Sequence, residues 1–167
     1  MYSSTLQGNK DMQFNIYKAK LADLDSIIRL AVYYRADNHC FQQLPFDVNH
    51  IKPYIEAALQ SEDTVIYIAR TKGIGTIIGG YWGSATPMVF SPVKFGMDIF
   101  SFVKPEYREH GIGAQLLAEF EKWAKSKGCV AIIGGANSGI NHNEGATNMY
   151  IKSGYKHLGT NLIKSIT

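Results

Sequence analysis

The feature that most constrains the fold is a switch of hydrophobic pattern between residues 97 and 124. Residues 97–103, MDIFSFV, are rich in β-branched and aromatic side chains, and this strand pattern ends at Pro105. Glycines follow at positions 111 and 113. An apolar stripe then recurs at helical spacing, formed by Ile112, Leu116, Leu117, Phe120, Trp123 and Ala124. The order predicts a strand, a tight turn and a helix that packs back on the sheet.

The first half of the chain predicts two helices and a hairpin. An alternating stretch from Phe14 to Lys18 predicts a strand, and apolar residues at helical spacing behind Asp23 predict a helix. A second helix is predicted over His50 to Gln60. The β-branched runs TVIYIAR and GTIIGGYWG, joined by the turn-forming residues Thr71 to Gly75, predict an antiparallel hairpin.

The second half predicts a strand-helix-strand unit and two later elements. SATPMVFSPVKFG contains two prolines and predicts an excursion rather than a regular strand. VAIIGG predicts a buried strand, followed by a polar loop, a short helix over Ala146 to Lys152 and a last strand from Tyr155 onward. This order implies one domain, residues 13–167, with a mixed sheet and helices on its faces. The polar residues 1–12 predict a flexible tail.

Composition narrows the classes of partner. The formal net charge is +3, but the cations are spread along the chain, and nucleic-acid binding needs them clustered. No apolar run approaches the roughly 20 residues that span a bilayer, so we expect no membrane partner. Cys40 and Cys129 lie far apart, without CxxC spacing or a histidine at ligand spacing. We therefore expect free thiols, a reducing cytoplasmic location and no metal.

The turn before the 112–124 helix has the features of an anion site. Amides at the start of a helix point outward at the positive end of its dipole and attract phosphate. Gly111 and Gly113 would let a ligand approach the backbone, and Arg108 adds a cation. A dinucleotide fingerprint would need glycine in place of Leu116, and an ATP loop would need Lys-Ser or Lys-Thr after Gly113. The residues alone leave open an anion site or a glycine-rich connection.

Two segments resemble the GNAT superfamily of N-acetyltransferases. Residues 103–113, VKPEYREHGIG, are similar to its V-x-P-x-x-R-x-x-G-x-G segment. Residues 143–155, NEGATNMYIKSGY, are similar to its N-x-x-A-x-x-x-Y-x-x-x-G-[FY] pattern. The resemblance in element order covers roughly residues 12–167. It implies an α/β (α+β) fold, with a mixed, mostly antiparallel sheet of six to seven strands flanked by about four helices.

The resemblance also implies an acetyl-CoA site. The pantetheine arm would pair with the strand end near Phe102 and Val103, in a wedge between this strand and the one that ends near Gly134. Asn143 would contact the cofactor as well, although its position also suits a helix cap. The pyrophosphate would lie on the turn formed by Arg108, Glu109, His110, Gly111, Ile112, Gly113 and Ala114.

Two residues are candidates for catalysis. Tyr150 aligns with the family tyrosine that donates a proton to the CoA sulfur, although its spacing also suits a core aromatic on the last helix. Asp98 is the only carboxylate on the strand before the turn and is the candidate base, acting directly or through water. Because the register places Met97 at the closest family match, this role depends on a one-residue bulge. Asp98 could instead be a solvated residue or a substrate contact.

These expectations lead to one leading function and two alternatives. The leading function is an acetyl-CoA-dependent N-acetyltransferase that acts directly on a primary amine, of a small molecule or a protein, in a ternary complex. One alternative is a non-catalytic acyl-CoA-binding module that acts through a protein partner. A nucleotide-binding module is disfavoured by the failed fingerprints. Acceptor recognition would fall in the aromatic-rich segments YYRADNHCFQQLPFD and YWGSATPMVF, whose rings could instead form core or homodimer contacts.

Overall fold

The computed structural model describes residues 12–136, 144–162 and 164. Within these residues, five strands and four α-helices form a mixed α+β fold. The strands are β1 (Phe14–Lys18), β2 (Thr64–Thr71), β3 (Ile77–Met88), β4 (Ser91–Val103) and β5 (Ala131–Ile133). The helices are α1 (Leu24–Asp37), α2 (Val48–Gln60), α3 (Ile112–Ser126) and α4 (Glu144–Lys152). Short 3-10 turns over Leu21–Asp23 and Pro105–Tyr107 precede α1 and α3.

The strands form a single sheet in chain order, β1-β2-β3-β4-β5. All neighbours are antiparallel except β4 and β5, which are parallel and joined by the crossover through α3. Helix α3 covers one face, where Leu117 and Phe120 are fully buried. Helices α1 and α2 cover the other, where Leu30 and Ile55 are buried. We refer to these as the α3 face and the α1/α2 face.

The excursion predicted over SATPMVFSPVKFG is wrong, because these residues continue β3 and β4 as one long hairpin. Pro87 pairs with Lys94 in that hairpin. The pairing of β3 with β2 ends at Ser84, so Pro87 lies where β3 has a strand on one side only. A proline that lacks an N–H is tolerated at such an edge.

The number of strands is slightly lower than the predicted six to seven, because the last predicted strand, from Tyr155 onward, is absent from the described residues. The amide of Tyr155 instead closes α4 by bonding to the carbonyl of Tyr150 at 3.0 Å. The segment that follows has no buried apolar face, since Leu158 and Leu162 are 82% and 92% exposed. A strand with neither face buried gains little from joining a sheet.

A one-residue bulge interrupts β4 at Ile99. Trp82 of β3 lies opposite Phe100, but the next residue, Gly83, lies opposite Asp98. Side chains alternate between the two faces of a strand, so residues two apart normally share a face. The extra residue breaks this alternation and places Phe100 and Asp98 on opposite faces. Phe100 accordingly packs on Tyr34 on the α1/α2 face, whereas Asp98 lies on the α3 face with Gly83. The bulge on which a catalytic role for Asp98 depends is present.

Candidate active site

The two parallel strands separate and leave a wedge. β5 pairs with β4 only from Phe95–Ala131 to Met97–Ile133. β4 then continues to Val103 paired with β3 alone, so its other edge has no strand partner among the described residues. Exposed edge amides and carbonyls of this kind can pair with an extended ligand. The edge includes Phe102 and Val103, the residues expected to pair with a pantetheine arm.

Asp98 lies where the strands separate and has two hydrogen-bond donors. The hydroxyl of Tyr150 donates to its carboxylate. The amide of Gly135, just beyond β5, is 3.5 Å from the same oxygen. Burial raises the pKa of the Asp98 carboxyl to about 6, although both donors act to lower it. Near neutral pH, Asp98 is therefore a carboxylate with more basicity than an exposed aspartate.

Tyr150 is held in position by its neighbours on α4 and after β5. Its side chain is 6% exposed, and its ring lies edge-on to Tyr155 with centroids 5.0 Å apart. A Cβ added to Gly134 would stand 2.5 Å from the Tyr150 ring, so only glycine fits there. Burial, and then the charge of Asp98, raise the pKa of the Tyr150 phenol. Tyr150 is thus a neutral proton donor with its hydroxyl directed at Asp98.

Aromatic residues lie around the wedge on both sheet faces. On the α1/α2 face, Tyr34 packs edge-on against Phe100 and Phe102, with centroid distances of 4.7 and 5.8 Å. Burial raises the pKa of the Tyr34 phenol, the side chain of Asn38 lowers it, and the charge of Asp98 raises it. On the α3 face, the hydroxyl of Tyr81 is buried and has no hydrogen-bond partner among the described residues. The reacting groups therefore lie in largely apolar surroundings.

The turn before α3 presents free backbone amides. The first helical amide with an acceptor is that of Gln115, which bonds to the Gly111 carbonyl at 3.1 Å. The amides of the first helical turn, from residue 112 to residue 114, thus have no acceptor within the helix. Gly111 has a φ of 73° and Glu109 a φ of 71°, so the chain reverses twice through the left-handed region. Both reversals turn the backbone outward beside the helix end that attracts anions.

Arg108 does not extend freely from this turn. Its guanidinium bonds to the carboxylate of Asp37 at the end of α1 and, through Nε, to the Val103 carbonyl at 3.0 Å. It also lies 5.6 Å from the centre of the Phe102 ring. In this arrangement Arg108 connects α1, the end of β4 and the turn. Its charge is already partly neutralised by Asp37, a partner that sequence reasoning missed.

The expected site residues fall into two groups. Tyr150 and Asp98 are in contact, and the residues from 108 to 114 form the turn beside the open edge of β4. The side chain of Ile112 is buried in the core, so only its amide is available to a ligand. Asn143 lies outside the described residues. Sequence reasoning also missed the amide of Gly135, since glycines in a loop give no signal of the bond they make.

Comparison with known proteins agrees with this architecture. A family model described as "Acetyltransferase (GNAT) family" matches residues 29–155.

The chain belongs to the GNAT acetyltransferase family.

No curated protein sequence matches it significantly.

Solved structures similar to this GNAT chain are acetyltransferases of low sequence identity. One is an aminoglycoside acetyltransferase from an uncultured soil metagenomic sample, with a TM-score of 0.71, 16% identity and coverage of 93% of this chain and 100% of the other. Another is AAC(6')-Iy with a CoA-containing bisubstrate analogue, with a TM-score of 0.69, 18% identity and coverage of 93% of this chain and 99% of the other. A third is a ribosomal-protein-alanine N-acetyltransferase from Brucella melitensis, with a TM-score of 0.68, 15% identity and coverage of 92% of this chain and 99% of the other. These similarities establish the GNAT fold.

Three further findings concern the described part of the GNAT chain. None of its helices is long and apolar enough to cross a membrane. No group of three or more histidine, cysteine, aspartate or glutamate side chains is placed there to hold a metal ion. Both Cys40 and Cys129 are free thiols.

Proposed function

We propose that the protein transfers an acetyl group from acetyl-CoA directly to a primary amine in a ternary complex. The observation that carries this proposal is the hydrogen bond from Tyr150 to Asp98 at the point where β4 and β5 separate. It joins a candidate acid and a candidate base at one position. The outward amides of the turn before α3 lie at the end of the same strand. The free cysteines fit a reducing, cytoplasmic location.

Acetyl-CoA fits the residues of the wedge and the turn. The amides of Gly111, Ile112, Gly113 and Ala114 would hold the pyrophosphate, because a helix N-terminus favours a negative charge. The open edge of β4 near Phe102 and Val103 would pair with the amides of the pantetheine arm. When bound, the cosubstrate supplies an activated acetyl thioester. Arg108 would act by holding the turn against Asp37 more than by direct contact with phosphate.

Asp98 is the base in this proposal. An amine acceptor arrives largely as an ammonium ion, and Asp98 removes the proton so that the nitrogen can attack the thioester carbonyl. A carboxyl with a pKa of about 6 is ionised near neutral pH and is a better base than an exposed aspartate. After the attack, Asp98 accepts a second proton from the same nitrogen. The first proton leaves to solvent.

Tyr150 is the acid. It donates its hydroxyl proton to the sulfur as the carbon–sulfur bond breaks and the bonding electron pair stays with the thiolate. Asp98, protonated by the amine, then returns a proton to the Tyr150 oxygen along their shared hydrogen bond. The second proton lost by the amine thus replaces the one given to sulfur. Tyr150 cannot donate freely while Asp98 is ionised, so deprotonation of the amine precedes departure of the thiolate.

The proposal is tested in two measurements on the full-length protein. Titration calorimetry with acetyl-CoA is expected to give micromolar binding, with NAD and ATP as controls that bind more weakly. Release of free thiol is then followed with a panel of primary amines. Absence of acetyl-CoA binding at high micromolar concentration would contradict the proposal. Tight binding without thiol release for any amine would favour the non-catalytic acyl-CoA-binding alternative.

A further inference from the structure

An open cleft of about 1620 Å³ leads away from the candidate catalytic residues. Tyr150, Gly134 and Gly135 are among its lining residues. The lining also includes the loop after α1, the β3–β4 hairpin and the segment after α4. An amine that reaches Asp98 through this cleft would place the rest of its body against these three segments. The chemistry of the lining therefore limits the acceptor.

The charges of this cleft do not suit a polycation. Among its described lining residues, Glu121 is the only carboxylate, and it is accompanied by Lys125 and Lys156. Outside the lining, Asp98 is bonded to Tyr150, Asp37 to Arg108 and Asp63 to Lys94. An acceptor with several ammonium groups would find few carboxylates to pair with.

The apolar part of the cleft is larger than its charged part. Aromatic and aliphatic side chains from all three segments line it, namely Phe41, Met88, Phe95, Leu158 and Leu162. Two of them, Leu158 and Leu162, are 82% and 92% exposed. Covering such side chains with an apolar ligand removes hydrocarbon from water and is favourable. The cleft thus combines Tyr150, the bonding partner of Asp98, with an apolar surface.

We propose that the acceptor is a small primary amine with a single positive charge and an apolar alkyl or aryl body. This inference rests on the proposed N-acetyl transfer and specifies its substrate class. The ammonium lies at Asp98, where it loses its proton, and the apolar body lies against Phe41 and the hairpin. A second ammonium group would meet the charges of Lys125 and Lys156, with Glu121 as the only lining carboxylate to compensate the loss of water.

The test compares amines that differ by one charge. Thiol release from acetyl-CoA is measured with phenylethylamine, with hexylamine and its diamine counterpart hexamethylenediamine, and with spermidine and an aminoglycoside. Because an unpaired ammonium is costly to desolvate, we expect kcat/KM for hexylamine to exceed that for hexamethylenediamine by roughly tenfold or more. Spermidine and the aminoglycoside are expected to be poorer than either monoamine.

Two substitutions with matched controls locate the effect in the cleft. Lys156→Glu is expected to raise kcat/KM for the diamine relative to hexylamine, whereas Lys152→Glu, on an exposed helical residue outside the cleft lining, should not. Phe41→Ala is expected to raise KM for phenylethylamine and leave KM for acetyl-CoA unchanged. Tyr54→Ala, at an exposed aromatic residue of α2 outside the lining, is its control.

The outcomes separate this inference from the proposed function. Polycations acetylated as fast as the monoamines, or faster, would overturn the inference and leave N-acetyl transfer intact. An unchanged ratio of diamine to monoamine in Lys156→Glu would also count against it. Failure of every amine in the panel to release thiol, despite binding of acetyl-CoA, would overturn the proposed function itself.

Discussion

The hydroxyl of Tyr150 donates a hydrogen bond to the carboxylate of Asp98, although the two residues are 52 positions apart in the sequence. The bond crosses the gap between α4 and β4 and is partly buried on the α3 face of the sheet. It makes the candidate acid and base one unit. Several of the consequences can be measured.

The first prediction concerns the interdependence of these two residues. Asp98→Asn and Tyr150→Phe should each lower kcat by roughly 10²- to 10⁴-fold, the usual range for loss of general acid–base catalysis. Because the proton passes between them, the double variant should be little worse than the poorer single variant. The three variants are compared with wild type by thiol release at saturating acetyl-CoA. Multiplicative losses in the double variant would mean that the two side chains act separately.

The second prediction is the acidic limb of the pH profile. Protonation of Asp98 removes the base, so kcat/KM should fall as the pH drops through about 6. The hydrogen bond from Tyr150 lowers the pKa of Asp98. Tyr150→Phe should therefore move this limb to higher pH, in addition to reducing the rate. A limb that stays in place in Tyr150→Phe would show that another group is titrating.

The third prediction concerns stability. Asp98 has a pKa of about 6 in the fold, above its ordinary value of 3.8, so the folded state binds more protons between these two pH values. The contribution of Asp98 to the free energy of unfolding should consequently fall as the pH rises from about 4 to about 6. Asp98→Asn, which has no charge to bury, should stabilise the protein by roughly 1 to 3 kcal/mol above pH 6.

Chemical denaturation at several pH values measures this effect. Glu62→Gln, which removes an exposed carboxylate in the turn before β2, is the control and should leave the pH dependence unchanged. A variant Asp98→Asn that is less stable than wild type at pH 7.5 would contradict the prediction.

The fourth prediction separates backbone strain from ligand binding in the turn. Gly111 and Gly128 have φ values of 73° and 76°, and a Cβ on either would meet no atom within 4 Å. Alanine at either position should cost about 1 kcal/mol in stability, because L-residues are strained in the left-handed region. Only Gly111→Ala should also weaken acetyl-CoA binding, since its methyl group would stand beside the anion-binding amides. Calorimetric titration of both variants tests this difference.

The fifth prediction concerns the position of the Tyr150 ring. A Cβ at Gly134 would lie 2.5 Å from the ring, whereas one at Gly135 would meet nothing within 4 Å. Gly134→Ala should displace the tyrosine and lower kcat by up to roughly 10²-fold, because small misplacements of catalytic groups are costly. Gly135→Ala should have a much smaller effect. Affinity for acetyl-CoA, measured in parallel, should change little in either variant.

The strand, turn and helix around the glycines could be predicted because they depend on local patterns. The stripe from Ile112 to Ala124 fixes α3, and Pro105 marks the end of the strand before the turn. The short helix over Ala146 to Lys152 was also predicted, and in the structure it begins at Glu144. Such elements depend on residues that are close in the sequence, so a single sequence is enough to predict them.

Features that depend on distant parts of the chain could not be predicted. Nothing near Arg108 indicates that its partner is Asp37, 71 residues earlier. The far end of the β3–β4 hairpin was predicted as an irregular segment because it contains two prolines. Whether a strand tolerates Pro87 depends on where β2 stops pairing with β3, which local sequence does not indicate. The contact of Gly134 with Tyr150 likewise arises only when β5 and α4 come together.

The bulge at Ile99 has a consequence for how such a protein can evolve. Insertion of one residue into β3 between Trp82 and Gly83, opposite Ile99, would keep the β3–β4 hairpin paired but remove the bulge, and so turn Asp98 to the opposite face of the sheet, away from Tyr150. A change of a single codon would thus separate Asp98 from Tyr150 while the sheet remains intact. Proteins that diverge from one ancestor could therefore keep the turn before α3 and lose or gain the Asp98–Tyr150 pair through the insertion or loss of one residue, without replacing any catalytic side chain.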